Sequence, residues 1–202
     1  MLSFNPTNNT ERENYKLLIG SIIPRPIAFV TTVAEDGTVN GAPFSYFNIV
    51  SSNPPTIAVS IQRRDGEPKD TAHNILKAKE FVVHIVDEDN VAEINKTAAT
   101  LAPDESEIKL ADLTLTDSET VTVPGINEAK IRMECTLDHA LELGEDNTVS
   151  TDLIIGKVVH FHIAKELYTD GRIDPTKLGA VSRLAGTNYA KIGEIFSMER
   201  PK

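Results

Sequence analysis

Long β-rich segments joined by short turns constrain the fold of this chain more than any other feature. Residues 130–143 alternate apolar and polar side chains, as expected of a strand with one face in water. Residues 150–167 form a longer β-rich run after the short turn GEDN, and residues 56–62 and 81–87 are two further strands. Because strands and helices do not alternate through the chain, a Rossmann-type sheet is disfavoured. The pattern predicts a mainly β fold with a few helices, either a barrel or a sandwich.

The first predicted hairpin has an irregular second arm. Residues 26–34 are β-branched and apolar, and the turn EDGT carries the Asp-Gly pair that favours a tight hairpin. The returning arm begins near Val39 and then meets Pro43, whose nitrogen has no hydrogen to donate to a sheet. We therefore expect this arm to lie at an edge or to be bulged, with main-chain groups unpaired near residues 44–47. A flat amphipathic ring such as isoalloxazine could pair with them, or the aromatic side chains could be core and Pro43 could protect an edge strand.

The segment GEPKDTAHNIL combines a lysine with a predicted helix start. The apolar spacing predicts a helix over residues 70–80, with Asp70 or Thr71 as its cap. Because helix starts present unpaired N–H groups and partial positive charge, a phosphate here would be held by backbone donors, the Thr71 hydroxyl and the Lys69 ammonium. The alternative is an ordinary capped helix beside a solvated lysine.

The remaining segments give weaker patterns. A second helix is predicted at about residues 89–99, and residues 101–128 are acidic and rich in Ser and Thr, which favours surface loops with short extended pieces. The tail from Tyr168 gives no firm assignment. Since the sequence contains no internal repeat, linker or low-complexity block, we expect a single domain over residues 1–202.

Composition and charge exclude several classes of function. The chain of 202 residues has a net charge of −10, which would repel a nucleic-acid backbone, although Arg63, Arg64 and Lys69 lie close together and leave room for a small anion site. No segment has the apolar length of a membrane span, and the N-terminal sequence lacks the features of a signal peptide. A single cysteine, Cys135, excludes an internal disulfide. We therefore expect a cytoplasmic protein that binds neither nucleic acid nor membrane.

Few other residues suggest chemistry of their own. His160 and His162 would share one face of a strand, but without a third ligand we favour partial burial or a cross-strand contact over a metal site. Cys135 alternates with Met133 and Leu137, which favours a small buried thiol over a nucleophile. The sequence contains no motif of hydrolases, zinc proteases or dinucleotide-binding domains. We assign no catalytic side chain and no metal ligand.

A succession of motifs along the chain resembles one known family. In order, these motifs are PRPIAFVTT, NGAPFSYFNIVSSNPP, KDTAHNI, FVVHIV, IIGKVVHFHI, DGRIDP and RLAGTNYAKIGEIF. The chain is similar over nearly its whole length to the flavin reductase-like, FMN-binding split-barrel family, which includes flavoredoxin. The resemblance implies a split β-barrel homodimer that binds FMN close to the subunit interface, with electrons from NADH or NADPH in the reductase members.

The resemblance also implies a set of cofactor-binding residues. Lys69 and Thr71, with Asp70 between them, would hold the FMN phosphate, and Arg25 would lie near the cofactor. The other residues that the family pattern places at the ring and ribityl chain, or near the site, are Ser45, Tyr46, Phe47, Asn48, Ser60 and Tyr189.

The sequence leaves the precise function open between three alternatives. The first is an FMN-dependent oxidoreductase in which a nicotinamide donor stacks on the flavin, which then reduces an unknown acceptor. The second is a flavin-binding electron carrier or storage protein that does not oxidise NAD(P)H. The third is a related barrel that has lost the flavin, which retention of KDT disfavours.

Overall fold

The computed structural model describes residues 1–98, 106–146 and 148–201. The helices are α1 (Glu11–Ser21), α2 (Asp70–Ala78), α3 (Val91–Lys96) and α4 (Pro175–Leu178), with short 3₁₀ helices at Pro6–Asn8, Glu107–Leu110 and Lys165–Leu167. The strands are β1 (Arg25–Pro26), β2 (Ala28–Val33), β3 (Val39–Phe44), β4 (Phe47–Ser52), β5 (Pro55–Gln62), β6 (Glu80–Ile85), β7 (Leu115–Thr116), β8 (Gly125–Ile126), β9 (Ile131–Glu145), β10 (Thr148–Ile163), β11 (Tyr168–Thr169), β12 (Arg172–Ile173), β13 (Ser182–Arg183) and β14 (Tyr189–Ala190).

Seven strands form one antiparallel sheet in the order β3-β2-β6-β9-β10-β5-β4. The two edge strands, β3 and β4, are consecutive in the chain, and Ser45 and Tyr46 alone separate them. A flat sheet of this size would hold its edges about 29 Å apart. The backbone from Phe44 to Phe47 spans at most about 11 Å. The sheet must therefore curl into a barrel that is split at this linker, which we call the seam.

The seam explains the irregular arm of the first hairpin. Pro43 lies opposite Phe29 on β3, an edge strand, as its missing N–H requires. The expected single arm is in fact two strands, because the chain leaves β3 after Phe44 and pairs with β5 from Phe47 onward. The Tyr46 carbonyl accepts a hydrogen bond from the Ser60 amide (2.8 Å), which fixes the linker to β5, the strand next to the edge strand β4.

The barrel interior is apolar, and α2 packs on it through Ala72 and Ile75. Phe81 is fully buried and lies against Gly156, where an added Cβ would stand 2.2 Å from the Phe81 ring. The larger buried side chains of this core are Val30, Phe44, Val59, Ile61, Val83, Met133 and Ile154. Cys135 belongs to the same cluster and is fully buried, and burial raises the pKa of its thiol, so the prediction of a buried thiol is confirmed.

The structure confirms most of the predicted elements and corrects others. The hairpin, the strands within 56–62 and 81–87, the paired long strands and helix α2 are all present. The second helix is shorter than predicted, since α3 ends at Lys96, and residue 99 lies outside the described residues. The β-rich run 150–167 ends at Ile163 and is followed by a 3₁₀ turn.

Two regions were not predicted as the structure has them. Helix α1 was missed, although Thr10 and Glu13 form a capping box that the sequence shows as TERE. The tail after Tyr168 contains β11 to β14 and α4, of which β13 pairs with β1. Residues 106–128 contain the expected short extended pieces, β7 and β8, and also a partly buried 3₁₀ helix that was not predicted, while residues 101–105 lie outside the described residues. None of the helices in the described residues is long and apolar enough to cross a membrane.

Candidate functional site

A continuous groove follows the seam. Its central part is lined by α1, the Ser45–Tyr46 linker, β5, Lys69 and Arg183. One extension of the groove runs along α1 to Phe47 and Asn48, and a second extension runs to Tyr189. Because Ser45 and several neighbours line more than one of these parts, they form a single surface, which we call the seam groove.

The structure brings the residues predicted for the site together. The predicted residues that line the seam groove are Arg25, Ser45, Tyr46, Phe47, Asn48, Ser60, Lys69 and Tyr189. Asp70 and Thr71 line an adjoining cavity, which shares Lys69 with the groove. The binding roles assigned to these residues from the sequence stay predictions, but their common location is a structural fact.

Tyr46 presents a neutral phenol to the groove. The pKa of Tyr46 is raised because the ring is desolvated and lies near Tyr15, while the Arg25 charge offsets part of this effect. At neutral pH the phenol is therefore both a donor and an acceptor. Together with the apolar walls of the linker region, it provides the mixed surface that a flat amphipathic ring requires.

Lys69 stands at the start of α2 as its N-cap residue. The prediction that Asp70 or Thr71 caps this helix is wrong, because Asp70 is already the first helical residue. A lysine side chain carries donors only, so it cannot accept hydrogen bonds from the first-turn amides. The Lys69 ammonium instead lies 5.8 Å from the centroid of the Phe44 ring, at the wall of the groove. Positive charge and the backbone N–H groups of a helix start therefore occur side by side.

Thr71 has an internal partner that the sequence did not indicate. It is 2% exposed, and its hydroxyl donates to Asn40 Oδ1 (3.0 Å). The Asn40 amide in turn donates to both carboxylate oxygens of Glu107 (2.9 and 3.1 Å). With its hydroxyl hydrogen given to Asn40, Thr71 offers the adjoining cavity a backbone N–H rather than a hydroxyl donor in this structure.

Glu107 is a buried carboxylate in the wall of that adjoining cavity. Burial raises its pKa, nearby Asp70 adds to the effect, and hydrogen bonds from Gly41 and Asn40 oppose it. The 3₁₀ helix that carries Glu107 reaches β3 only because residue 41 is glycine, where a Cβ would lie 2.5 Å from Ile108 Cδ1. No sequence signal marked Glu107, since it lies in a segment that reads as an acidic surface loop.

Arg25 is 7% exposed and fixes two elements to the groove. Its guanidinium donates to the carbonyls of Ile19 (2.7 Å) and Ile22 (2.6 Å) at the end of α1, and to that of Leu184 (3.0 Å) after β13. Carbonyl groups at a helix end carry partial negative charge, so the contact is favourable. Among the described residues, the buried Nε of Arg25 has no hydrogen-bond partner.

Arg183 is a groove residue that sequence analysis did not assign, although the motif RLAGTNY contains it. It pairs with Arg25 in the β1–β13 register, and its guanidinium lies 4.4 Å from the centroid of the Tyr189 ring. One guanidinium nitrogen donates to the Gly186 carbonyl (2.7 Å), and the Tyr189 hydroxyl donates to Asn95 Oδ1 (2.8 Å). Both side chains are thereby held in place.

The seam groove is positive within an acidic protein. Arg25, Lys69 and Arg183 line it, whereas the adjoining cavity that shares Lys69 with it is lined by the carboxylates of Asp65, Glu67, Asp70 and Glu107. Arg63, which the sequence placed near these cations, is instead paired with Asp152 (2.7 Å) and Glu142 (2.5 Å). The groove therefore presents positive charge to a ligand, in a chain whose net charge is −10.

The histidines predicted to be structural have protein partners. His162 Nε2 lies 2.5 Å from Glu134 Oε1, and His160 stacks on His162 with ring centroids 4.6 Å apart. Within the described ranges, no group of three or more His, Cys, Asp or Glu side chains could hold a metal ion.

Comparison with known proteins identifies the family. Residues 19–177 match the sequence pattern of the flavin reductase like domain, which is most of the chain. This chain belongs to the flavin reductase-like family. A protein of Halalkalibacterium halodurans is 48% identical over 202 residues, covering 99% of this chain and 97% of that protein.

Solved structures agree with the fold and the family. The crystal structure of nitrilotriacetate monooxygenase component B from Bacillus cereus is 59% identical, with a TM-score of 0.96 over 98% of each chain. A Shewanella frigidimarina protein with a split barrel domain is 19% identical, with a TM-score of 0.84 over 96% of each chain, and this likeness supports the fold alone. The flavin reductase-like split barrel predicted from the sequence is confirmed.

Proposed function

We propose that the protein binds FMN in the seam groove and acts as an NAD(P)H-dependent flavin reductase that passes electrons to a downstream acceptor. The observation that carries this proposal is the groove itself. This chain belongs to the flavin reductase-like family, and among its described residues the cationic side chains of the groove have no carboxylate partner and lie beside a helix start. An anionic, partly apolar ligand fits such a surface, and FMN joins a phosphate dianion to a flat apolar ring.

The residues of the groove fit the parts of FMN separately. Lys69 and the first-turn N–H groups of α2 would hold the phosphate, as charge-assisted and helix-start donors do in general. The linker residues Ser45 and Tyr46, with Phe47 and Asn48 beyond them, would line the ring and ribityl chain. The unpartnered Nε of Arg25 supplies one further buried donor among the described residues.

When bound, FMN supplies the capacity to accept a hydride and to release electrons singly or in pairs. The protein's own residues then bind and orient the cofactor and keep water from its buried face. No side chain of the groove needs to act as an acid or base for this role. The nicotinamide donor would approach the flavin within the same groove, because the sequence contains no separate dinucleotide-binding motif.

The electron acceptor is proposed to be outside this chain. The Bacillus cereus relative is one component of a monooxygenase, which supports an arrangement in which another protein uses the reduced flavin. The alternative is a flavin-binding electron carrier or storage protein without NAD(P)H oxidation of its own, which the same groove would also serve.

We further propose a cytoplasmic homodimer. Several large apolar side chains are exposed on this chain, including Ile49 and Val50 on the edge strand β4 and Phe196 in the C-terminal segment. A second copy of the chain could cover such surfaces. Gel filtration with and without FMN measures this directly, and elution as a monomer under both conditions would exclude the dimer.

The absorption spectrum of the purified protein tests flavin binding first. Bound FMN gives a yellow preparation, and protein lacking cofactor is expected to take up added FMN with a change in flavin fluorescence. A colourless preparation that does not bind added FMN would overturn the proposal. NAD(P)H oxidation with FMN and an artificial acceptor then tests the reductase. Consumption above the free-flavin background supports the reductase, and its absence supports the carrier.

A further inference from the structure

We propose that Arg183, supported by Tyr189 and Asn95, forms a second anion subsite of the seam groove, which binds the diphosphate of the nicotinamide dinucleotide donor. This inference rests on the proposed function, because it assigns the donor a place beside the flavin. The observation that carries it is a restrained guanidinium that lines both the central part of the groove and the part extending to Tyr189, in each case together with Lys69.

Three cationic side chains of the described residues, Arg25, Lys69 and Arg183, line the central part of the groove. FMN carries one phosphate, and Lys69 with the α2 start already provides the two kinds of donor that a phosphate seeks. The guanidinium of Arg25 already donates hydrogen bonds to the carbonyls of Ile19, Ile22 and Leu184. Arg183 therefore remains as a cation of the groove, and no carboxylate in the described ranges lines the part that it shares with Tyr189. A second anionic group would satisfy it.

The guanidinium of Arg183 is also fixed in position by its neighbours. A guanidinium has five N–H donors, and within the described ranges that of Arg183 makes one hydrogen bond, to the Gly186 carbonyl (2.7 Å), which leaves most of them for a ligand. The Tyr189 ring supports its plane at 4.4 Å, and Asn95 fixes that ring through the tyrosine hydroxyl (2.8 Å). Because an arginine fork fits phosphate oxygens in pairs, a diphosphate is a suitable partner for it.

The position agrees with a donor that must reach the flavin. Arg183 lines both the central part of the groove, with Ser45 and Tyr46, and the part that extends to Tyr189. A dinucleotide bound there through its diphosphate could place its nicotinamide end towards the linker. Tyr189 is 38% exposed, so part of its surface remains free for the adenosine end.

The test compares two variants, Arg183→Gln and Lys69→Ala, in the full-length protein. For each, FMN affinity is measured by fluorescence quenching, the KM for NADH and NADPH by steady-state oxidation, and the inhibition constant of ADP-ribose by competition. ADP-ribose carries the diphosphate without the nicotinamide. Arg183→Gln is expected to raise the donor KM and the ADP-ribose constant by roughly tenfold or more, the range for a charge-assisted contact, while FMN affinity changes less than about twofold. Lys69→Ala is expected to show the opposite pattern.

Two further results decide the matter. Arg183→Lys should recover part of the ADP-ribose affinity, because it restores the charge but not the fork. Retained FMN binding by Arg183→Gln shows that the variant is folded, so an unchanged donor KM and ADP-ribose constant would overturn the subsite. An equal loss of FMN and donor affinity would also overturn it, since Arg183 would then serve the cofactor. If the unmodified protein binds no FMN, the proposed function fails, and ADP-ribose binding followed by calorimetry still tests Arg183 alone.

Discussion

The charged side chains of two regions of this barrel differ in whether they have partners within the protein. Glu134 on β9 is fully buried, and its carboxylate accepts hydrogen bonds from the amides of Glu119 (2.7 Å), Thr120 (2.7 Å) and Val121 (3.0 Å) and contacts His162 (2.5 Å). Burial alone would raise the pKa of Glu134, but these hydrogen bonds outweigh it and lower the pKa to about 2. The cations of the seam groove lack such carboxylate partners among the described residues.

His84 extends the satisfied region. It is fully buried, its Nδ1 lies 3.0 Å from the Phe29 carbonyl oxygen, and its Nε2 accepts a hydrogen bond from the Ile126 amide (3.1 Å). Burial lowers the pKa of His84 to about 3, so the ring is neutral and donates through Nδ1. This histidine and Glu134 therefore fix the segment between β7 and β9 to the barrel.

We propose that this difference distinguishes charged groups that stabilise the fold from charged groups that bind a ligand. A buried group that supports the fold must have its partners within the chain, because unsatisfied burial is costly. We propose that a group that binds a ligand keeps part of its hydrogen-bonding capacity unfilled; among the described residues, Lys69 makes no side-chain cap hydrogen bond and the Nε of Arg25 has no partner. Four predictions test this distinction, from the largest expected effect to the smallest.

Replacement of Glu134 by alanine is expected to lower the free energy of unfolding by about 3–5 kcal/mol, the cost of removing one partner from a buried charged network. Three backbone amides and His162 would lose their acceptor. Denaturant unfolding measures this, and FMN affinity of the folded protein should not change. His160→Ala is the control, since it removes a ring that stacks on His162 and a long contact with the Thr120 hydroxyl (3.5 Å) but leaves the Glu134 carboxylate in place. A stable variant that has lost FMN binding would contradict the distinction.

Lys69→Ala is expected to weaken FMN by about 1.5–3 kcal/mol, the range for a charge-assisted bond, and riboflavin much less. Because the Lys69 side chain is exposed, stability should change little. Titration with both flavins measures the difference. Lys77→Ala on the same helix is the matched control, as Lys77 is exposed and lies 3.7 Å from Glu35. Equal losses for FMN and riboflavin would show that Lys69 does not contact the phosphate.

The replacement Thr71→Val tests a residue whose hydroxyl is bonded within the fold and which lines the cavity adjoining the seam groove. Its hydroxyl donates to buried Asn40, so the loss is expected to cost about 1–2 kcal/mol of stability, as for other buried hydrogen bonds. The effect on FMN affinity should be smaller than that of Lys69→Ala, because the backbone N–H remains. Thr71→Ser keeps the hydroxyl and should restore most of the stability. A loss of FMN affinity larger than that of Lys69→Ala would show that the hydroxyl turns to the phosphate on binding.

The pH dependence of stability gives a further, graded test. The pKa of Glu134 falls from an ordinary 4.5 to about 2, so its stabilising contribution is present above pH 4.5 and is lost as the pH falls towards 2. The free energy of unfolding should therefore decrease across this range. The slope should be shallower in Glu134→Gln, which has no charge to lose. An unchanged slope would show that other carboxylates dominate acid unfolding.

The sequence predicted those features that depend on local pattern. The alternating strands, the Asp-Gly turn and the edge position of Pro43 follow from chemistry within a few residues, and so does the lysine at the start of α2. The family motifs added the set of groove residues. Helix α1 was missed even though its capping box is local, because Ile19 is its one buried residue and its sequence therefore carries little apolar periodicity.

The features that sequence analysis missed depend on distant pairings. Arg183 reaches the groove because β13 pairs with β1, which joins residues far apart in the chain. Glu107 reaches Asn40 because a 3₁₀ helix packs on Gly41, in a segment whose composition is typical of a surface loop. The split of the predicted arm into β3 and β4 follows from closure of the whole sheet. None of these pairings leaves a periodic signal.

The seam has a consequence for how such a barrel can vary. Ser45 and Tyr46 both join the two sheet edges and form the floor of the groove. An insertion there would lengthen the linker that holds the two edge strands together, and it would also displace the residues that line the groove. We therefore expect the seam to tolerate exchanges of side chains more readily than changes in length, which the surrounding helices and turns would have to accommodate.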